Sequence, residues 1–194
     1  QKLSLDAPGC FWTKGDTGLL ELPKIALVGS RDIDADHLNF AKEVGRQAAL
    51  QGFALVSGNA RGADRAAQDA CLQAGGCVIS VVADELWKKP LQNRVLYLAL
   101  EDFDQRFSTP RALQRNHVIH SLADLTVAAQ CTLGKGGTWD GIVTNLKKGW
   151  SPVCVFSDGS EGAEELQNRG VTPMDVCDLA DLRNFLRQSN FIDD

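Results

Sequence analysis

The sequence lacks the features that mark membrane, secreted, metal-binding and standard nucleotide-binding proteins. No apolar run approaches the roughly 18 residues of a membrane-spanning helix, and no signal-peptide pattern is found near its first residue, which is Gln rather than Met. The six cysteines show no C-x-x-C spacing and no paired histidines, so we expect reduced thiols and no metal site. The patterns G-x-G-x-x-G and G-x-x-x-x-G-K-[ST] are also absent, which counts against a standard NAD site and a P-loop. We therefore expect a cytoplasmic protein without a cofactor, whose natural start lies outside this sequence.

The charge balance is mildly acidic. The chain carries 20 Lys and Arg against 25 Asp and Glu, a net charge of −5. This balance counts against a protein that coats nucleic acid without selectivity, because such binding depends on many cationic contacts. It is compatible with a local basic groove, since Arg106, Arg111 and Arg115 lie close together in the sequence. The 194 residues and the 44% hydrophobic content suit one globular domain with a sizeable core.

Apolar runs of strand length alternate with segments that repeat apolar residues at helical spacing. Strands are predicted at 24–28, 53–56, 77–82, 125–129 and 153–156, and helices at 36–51, 63–74, 110–122, 138–148 and 179–188. This alternation predicts a Rossmann-like, doubly wound α/β fold, with a mainly parallel sheet and helices on both faces. Residues 24–194 are predicted to form a single domain, with residues 1–23 as a lead-in packed on it. Residues 84–90 are predicted as a loop and residues 91–100 as a helix.

Three of the predicted strands lead into glycine-containing turns. Such a turn between a strand and a helix presents unpaired backbone amides, which together with the helix dipole favour phosphate. Because the carboxyl ends of parallel strands share one edge of a sheet, we expect Arg31, Arg61 and Arg115 to converge there with the amides of loop 134–138. The predicted residues for binding phosphate, nucleotide or DNA are Gly29, Ser30, Arg31, Ser57, Gly58, Asn59, Arg61, Asp64, Arg115, Asn116, Gly134, Lys135, Gly136, Gly137 and Thr138.

Arg115 is the most informative single side chain. At about 100° per residue, its direction on the predicted helix falls between those of Ile119 and Leu122, which should face the sheet. An arginine aimed at the core needs an anionic partner, because an unpaired buried charge is costly. Two kinds of partner are open: an internal carboxylate such as Asp64 or Asp124, or a bound phosphate held by two hydrogen bonds.

Other polar and aromatic side chains are expected to have structural or solvent-facing roles. Asp64 is expected mainly to cap the helix that follows it. By the same helical geometry, His117 and His120 should point away from the core. His37 receives no role. For Trp12, Trp87 and Trp150 two roles are open, core residue or interface anchor, and core positions are expected.

Five segments, in this order, resemble the DNA-processing protein A (DprA/Smf) family. They are residues 11–15 (Phe-Trp-Thr-Lys-Gly), 25–31 (Ile-Ala-Leu-Val-Gly-Ser-Arg), 56–64 (Val-Ser-Gly-Asn-Ala-Arg-Gly-Ala-Asp), 70–76 (Ala-Cys-Leu-Gln-Ala-Gly-Gly) and 114–119 (Gln-Arg-Asn-His-Val-Ile). The resemblance covers about residues 10–157 and implies an extended Rossmann-like core. It also implies single-stranded DNA binding without catalysis, help in loading a recombinase onto incoming strands, and a homodimer. The residues it places along the phosphate-binding edge are Arg31, Ser57, Gly58, Arg61, Arg115 and Asn116.

One loop departs from that family. Where the family usually has Ser-Gly-Ser-x-x-Thr-Ala, residues 133–139 read Leu-Gly-Lys-Gly-Gly-Thr-Trp, which is similar to the glycine-rich loop of the related Lonely guy phosphoribohydrolases. Their catalytic Glu corresponds to Gly141, with Asp140 one place earlier and about 100° away around the helix. Two alternatives therefore stay open. One is an enzyme that hydrolyses the N-glycosidic bond of a nucleoside monophosphate, with Asp140 or Asp64 as its acid–base group. The other is a sensor of a nucleotide-derived ligand, and no catalytic residue is assigned.

Overall fold

The computed structural model describes residue 2 and residues 7–100 and 103–186. Its strands are β1 (Trp12–Lys14), β2 (Lys24–Val28), β3 (Ala54–Ser57), β4 (Cys77–Val82), β5 (Val95–Ala99), β6 (Leu125–Ala128), β7 (Val153–Phe156) and β8 (Thr172–Met174). Its α-helices are α1 (Ala35–Leu50), α2 (Ala63–Gln73), α3 (Thr109–Leu122), α4 (Gly136–Lys148) and α5 (Glu161–Asn168). Short 3₁₀ segments occupy Thr17–Glu21, Leu86–Lys88 and Val176–Phe185.

The strands form one sheet in the order β1-β5-β4-β3-β2-β6-β7-β8. Neighbouring strands are parallel throughout except for β1, which runs antiparallel to β5. From β2 the chain moves outward through β3, β4 and β5, and α3 then returns it to β6 on the other side of β2. The strand order therefore reverses between β2 and β6, which makes this position the topological switch point of a doubly wound sheet. The predicted fold class is confirmed.

Helices cover both faces of this sheet. Phe40 and Val44 of α1 belong to a buried cluster on one face, together with residues of α2 and of the C-terminal 3₁₀ segment. Ile119, Ile142 and Leu166, from α3, α4 and α5, belong to the buried cluster on the other face. Successive strand residues point to opposite faces, so strands covered on both sides are apolar along their whole length. This arrangement explains why the central strands are mostly apolar, with single small polar residues such as Ser80 and Thr126.

The region between β4 and α3 differs from its prediction. Residues 91–100 were predicted as a helix, whereas residues 95–99 form the buried strand β5. A five-residue apolar run fits either element on its pattern alone. Here it pairs with β4 on one side and β1 on the other, so its backbone groups are satisfied by neighbours far away in sequence.

Both ends of the chain also differ from their predictions. Residues 12–14 of the predicted lead-in form the edge strand β1, while residues 3–6 lie outside the described part of the chain. Residues 179–185 are 3₁₀ rather than α-helical, and residues 187–188 are not among those described. Trp150 is buried as predicted, but the prediction of core positions is wrong for Trp12 and Trp87, which lie exposed near the β1 edge. The strand β8 and the helix α5 were not predicted.

Helix ends follow ordinary capping rules. Ser108 caps α3 by accepting a hydrogen bond from the backbone amide of Arg111, with Pro110 in the first turn. Gly149 ends α4 in the left-handed conformation, at φ 63°. All six cysteines are free, and burial raises the pKa of Cys71 and of Cys154 to about 12. Among the described residues, no helix is both long and apolar enough to cross a membrane.

His37, which received no role from the sequence, joins the start of α1 to the end of β7. Its Nδ1 lies 2.7 Å from Oδ1 of Asp34, and its Nε2 lies 2.6 Å from Oδ2 of Asp158. Burial disfavours the charged imidazole, but the hydrogen bonds and charges of Asp158 and Asp34 outweigh this and raise the pKa of His37 above its ordinary value. The pKa values of Asp34 and Asp158 are lowered in turn. Because Asp34 ends the loop that follows β2, this pair of contacts holds that loop beside β7.

This cluster predicts a pH-dependent stability. A histidine whose pKa is raised on folding contributes fully below its unfolded pKa of about 6.5, and the contribution is lost as pH rises through the folded pKa. We expect His37→Gln to lower the free energy of unfolding at about pH 6, and the difference from wild type to shrink towards about pH 9. Urea unfolding of both proteins across this range measures the difference. Parallel pH profiles would show that the two carboxylates do not stabilise a charged His37.

Candidate functional site

A cavity of about 520 Å³ opens at the switch point, above the carboxyl ends of β2 and β6. This is the position where doubly wound sheets bind their ligands. Five segments surround it: the turn after β2, the turn after β6, the loop after β3, and the facing sides of α3 and α4. Of the predicted site residues, those that line it are Gly29, Ser30, Arg31, Asp64, Arg115, Asn116, Lys135, Gly136, Gly137 and Thr138.

Arg115 crosses the inner wall of the cavity. It is only 5% exposed, and its Nη1 donates to the carbonyl oxygen of Val81 at 3.2 Å. The guanidinium fills the space that any side chain at position 58 would occupy, so glycine is required there by packing. Burial lowers the pKa of Arg115, and the negative charge of Asp64 opposes this change. Arg115 therefore lies near the carboxylate of Asp64 and also faces the cavity. Asp124, the other carboxylate considered as its partner, accepts a hydrogen bond from the amide of Lys24 instead.

Asp64 organises the loop after β3. Its Oδ2 accepts hydrogen bonds from the amides of Gly58, at 3.1 Å, and Ala60, at 3.2 Å. Burial raises the pKa of this carboxyl, and the charge of Arg115 opposes the rise. The prediction that Asp64 mainly caps α2 is wrong. The N-cap residue is Gly62, and no side chain forms a capping hydrogen bond at this end of the helix. Asp64 instead folds the loop back on itself, and Asn59 adopts φ 58° within it.

The turn before α4 brings amides to the opposite wall. Gly136 starts the helix with φ 82°, two residues before the predicted start at Thr138. Asn116 of α3 donates from Nδ2 to the carbonyl oxygen of Gly137 at 3.1 Å, which ties this turn to the helix that carries Arg115. The first amides of a helix have no partner within it and point towards a ligand at its N-terminus. Lys135, directly before this helix, is exposed and lines the cavity.

The three predicted arginines do not all meet in one place. Arg31 lines the cavity and stacks on the ring of Phe107, with its Cζ 5.4 Å from the ring centroid. Arg61 is exposed, does not line the cavity, and pairs with Asp32 at 2.9 Å. The described lining residues therefore carry three cations, Arg31, Arg115 and Lys135, against one carboxylate. This local positive charge contrasts with the net charge of −5 of the whole chain.

The other predicted site residues lie near the cavity without lining it. Ser57 is fully buried, and its Oγ accepts a hydrogen bond from Nε2 of Gln68 at 2.5 Å. Gly58 lies beneath Arg115, and Asn59 lies in the same loop. Gly134 adopts φ 66° in the turn that precedes Lys135. These residues shape the walls through backbone conformation and packing.

The polar lining residues that the sequence reasoning missed include His120 and Gln130. The prediction that His120 points away from the core is wrong, because it is 1% exposed. Its ring lies between α4 and the sheet, with Nδ1 3.3 Å from Oγ1 of Thr126 in β6 and 3.4 Å from Nδ2 of Asn145 in α4. His117 is half-buried, with its ring 5.1 Å from that of Trp150. One residue in the sequence could have indicated the burial of His120. Gly141 lies in α4 where that helix contacts His120, and a glycine at such a contact leaves room for the histidine ring.

The geometry offers little support for hydrolysis of a glycosidic bond. A side chain at Gly141 would bring its Cβ within 2.8 Å of Nε2 of His120, so a carboxylate there would displace a buried histidine. Asp140 is exposed and does not line the cavity. Among the described lining residues the one carboxylate is Asp64, whose Oδ2 already accepts two backbone amides. The arrangement is suited to holding an anion rather than to moving protons.

Comparisons with known proteins identify the family of this chain. The family model for DNA recombination-mediator protein A matches residues 2–186. DNA processing protein DprA of Streptococcus pneumoniae is 40% identical over 85 residues, which are 42% of this chain and 28% of that protein. The solved structure of DNA processing protein A from the same species has a TM-score of 0.79 at 26% identity, covering 90% of this chain and 66% of the other.

Two further solved structures are similar to this one. DNA processing protein A from Helicobacter pylori, whose structure concerns its single-stranded DNA binding mode, has a TM-score of 0.77 at 25% identity, covering 92% of this chain and 86% of the other. The molybdenum cofactor carrier protein of Chlamydomonas reinhardtii has a TM-score of 0.63 at 22% identity, covering 86% and 99%, and shares the fold. Since the family model spans nearly the whole described chain, this protein belongs to the DNA recombination-mediator protein A family.

Proposed function

We propose that the chain binds single-stranded DNA, with the backbone phosphates held at the switch-point cavity. The single observation that carries this is the meeting of Arg31, Arg115 and Lys135 with the amides that begin α4. Phosphates favour such a combination of helix N-terminus and cations. The Helicobacter pylori relative, whose structure concerns a single-stranded DNA binding mode, supports the same class of ligand.

The charge distribution supports a local groove rather than a broad basic surface. The three cations surround a cavity that is open on its outer side, while the chain as a whole is acidic. A protein of this kind contacts few phosphates, so its affinity should depend on salt less steeply than that of a protein with many contacts. For three phosphate contacts on a single strand, the slope of log K against log salt is about −2.

Titration of a fluorescently labelled oligothymidylate, followed by anisotropy at several salt concentrations, tests the proposal. We expect binding at low salt, a slope of about −2, and weaker binding of a duplex of the same length. The proposal fails if the oligonucleotide does not bind at low salt, or if its affinity is indifferent to salt. Preference for the duplex would also exclude it, since the site would then read a different geometry.

Lys135→Ala gives a sharper version of this test. Loss of one phosphate contact should weaken binding to strands of different sequence by similar factors and make the salt slope shallower by about 0.7. Lys147→Ala is the matched control, because Lys147 is an exposed lysine near the other end of the same helix. Both substitutions change the net charge equally. Equal effects of the two would mean that general charge, not the cavity, attracts the strand.

We further propose a recombinase partner, a homodimeric assembly and a cytoplasmic location for this activity. The description of the family as a recombination mediator supports the first of these. An exposed aromatic cluster at the β1 edge supports the second, since Trp12 and Phe103 have ring centroids 5.4 Å apart and large exposed apolar groups mark protein contacts. Light scattering of the purified chain measures its mass, and a monomer at all concentrations would exclude the dimer.

A further inference from the structure

An exposed ion pair lies beside the switch-point cavity, where two of its loops meet. Nη2 of Arg61, in the loop after β3, lies 2.9 Å from Oδ1 and 3.2 Å from Oδ2 of Asp32, in the loop after β2. Each partner directly follows a residue that lines the cavity, because Asp32 follows Arg31 and Arg61 follows Ala60. The pair therefore adds a further cation at the rim of the cavity, and a carboxylate of the protein occupies it.

The backbone beneath this pair is fixed by packing between the two loops. Gly62 adopts φ 82°, and a Cβ there would lie 2.4 Å from the carbonyl oxygen of Arg31 and 2.6 Å from that of Ser30. The amide of Ala63 donates to the same oxygen of Ser30 at 3.3 Å. The hydroxyl of Ser30 donates to the carbonyl oxygen of Asp32 at 3.1 Å, which holds the turn that carries the carboxylate. The loops thus set where the two charged side chains begin, independently of the ion pair.

The charged ends of the pair are, by contrast, open to exchange. The side chains of Arg61 and Asp32 are 73% and 84% exposed. An ion pair this exposed contributes little to stability, because water and salt screen it and two side chains lose freedom when it forms. A phosphodiester shares its charge between two oxygen atoms, as a carboxylate does, and a guanidinium binds it with paired hydrogen bonds. Such a group can take the place of Asp32 without movement of the backbone.

The neighbouring carboxylates of the same segment lie elsewhere. Oδ1 of Asp34 is 2.7 Å from Nδ1 of His37, and the same side chain caps α1. Asp36 is exposed in the first turn of α1 and lines a different cavity. Asp32 is therefore the carboxylate of this segment that is placed to neutralise a cation at the rim.

We infer that Arg61 is a further phosphate-binding residue of the site and that Asp32 is its displaceable counter-ion. In the free protein the carboxylate of Asp32 occupies the guanidinium, and a backbone phosphate of the bound strand replaces it. The exchange breaks the ion pair, so Asp32 lowers the affinity for the strand. The inference deepens the proposed function and rests on it, since it adds one more phosphate of the same strand beside Arg31.

Asp32→Asn should strengthen binding. The amide keeps the shape of the side chain but lacks the charge that neutralises Arg61, so we expect the affinity for labelled oligothymidylate to rise about fivefold at low salt. The slope of log K against log salt should become steeper by about 0.7, the contribution of one phosphate contact on a single strand. Asp36→Asn is the matched control, because it removes the same charge from an exposed residue that does not line this cavity. We expect it to change the affinity by less than about twofold.

Substitution of Arg61 identifies the group through which Asp32 acts. In an Arg61→Ala background, Asp32→Asn should raise the affinity no more than Asp36→Asn does, because no guanidinium is left to release. Arg61→Ala should also weaken binding more in the Asp32→Asn background than in the wild type. Urea unfolding of each variant should match that of the wild type, since all three residues are exposed.

Three results would overturn the inference. They are an Asp32→Asn protein that binds like the wild type, equal gains from Asp32→Asn and Asp36→Asn, and a gain from Asp32→Asn that survives Arg61→Ala. Each would leave the phosphate site of the cavity intact. Failure of the wild type to bind the oligonucleotide would instead refute the proposed function itself.

Discussion

Gly58→Ala should disable the cavity and destabilise the protein at the same time. The added methyl group would overlap the guanidinium of Arg115 and come within 2.8 Å of Oδ2 of Asp64. Arg115 cannot move aside without leaving its hydrogen bond to Val81 and its buried position beside Asp64. Overpacking of this kind costs about 1–3 kcal/mol of folding free energy. Because the displaced group is also a proposed phosphate ligand, we expect oligonucleotide affinity to fall by about tenfold or more.

The comparison with Gly9→Ala isolates the cause. Gly9 has nothing within 4 Å of the position that a Cβ would take, and neither glycine adopts a left-handed φ, so both substitutions add the same methyl group without backbone strain. Urea unfolding and anisotropy should show no change for Gly9→Ala. A Gly58→Ala protein with the stability and affinity of the wild type would contradict the packing of Arg115 against this glycine.

The sequence predicted correctly those parts of the cavity whose positions follow from the geometry of single strands and helices. Parallel strands place their carboxyl ends on one edge, so the turns that contain Gly29 and Gly136 had to lie near each other once β2 and β6 were neighbours. Helical geometry likewise predicted that Arg115 faces inward. These inferences need only the periodicity of each element and the direction of the chain.

Other features depended on contacts between elements, which periodicity does not contain. The direction of Arg61 depends on the conformation of its loop, and its pairing with Asp32 draws it away from the cavity. His120 is buried between α4 and Thr126 of β6, and the helical wheel, which contains no neighbouring element, assigned it to solvent. The strand β5 could not be separated from a helix because its apolar run is only five residues long.

Arg115→Met should cause the largest loss of stability, because it removes the main positive charge near the buried carboxylate of Asp64 and leaves only the weaker effect of Arg31. Removal of one partner from a buried pair of opposite charges typically costs about 3–5 kcal/mol. The pKa of Asp64, already raised by burial, should rise further once the opposing charge of Arg115 is gone. Urea unfolding should therefore show a deficit that becomes smaller as pH falls and the carboxyl takes up a proton. A pH-independent deficit would mean that the loss comes from packing alone.

The double variant Arg115→Met/Asp64→Asn separates the internal role of this arginine from ligand binding. The amide oxygen of Asn at position 64 can still accept the hydrogen bonds of the Gly58 and Ala60 amides, so we expect much of the lost stability to return. Oligonucleotide affinity should stay reduced roughly 30-fold or more in both the single and the double variant, because both lack the guanidinium of Arg115 at the cavity. A double variant that binds like the wild type would make Arg115 only the counter-ion of Asp64. A stable but non-binding double variant would show instead that Arg115 binds the ligand. Asp64 would then stabilise the buried positive charge of Arg115 when no phosphate is bound.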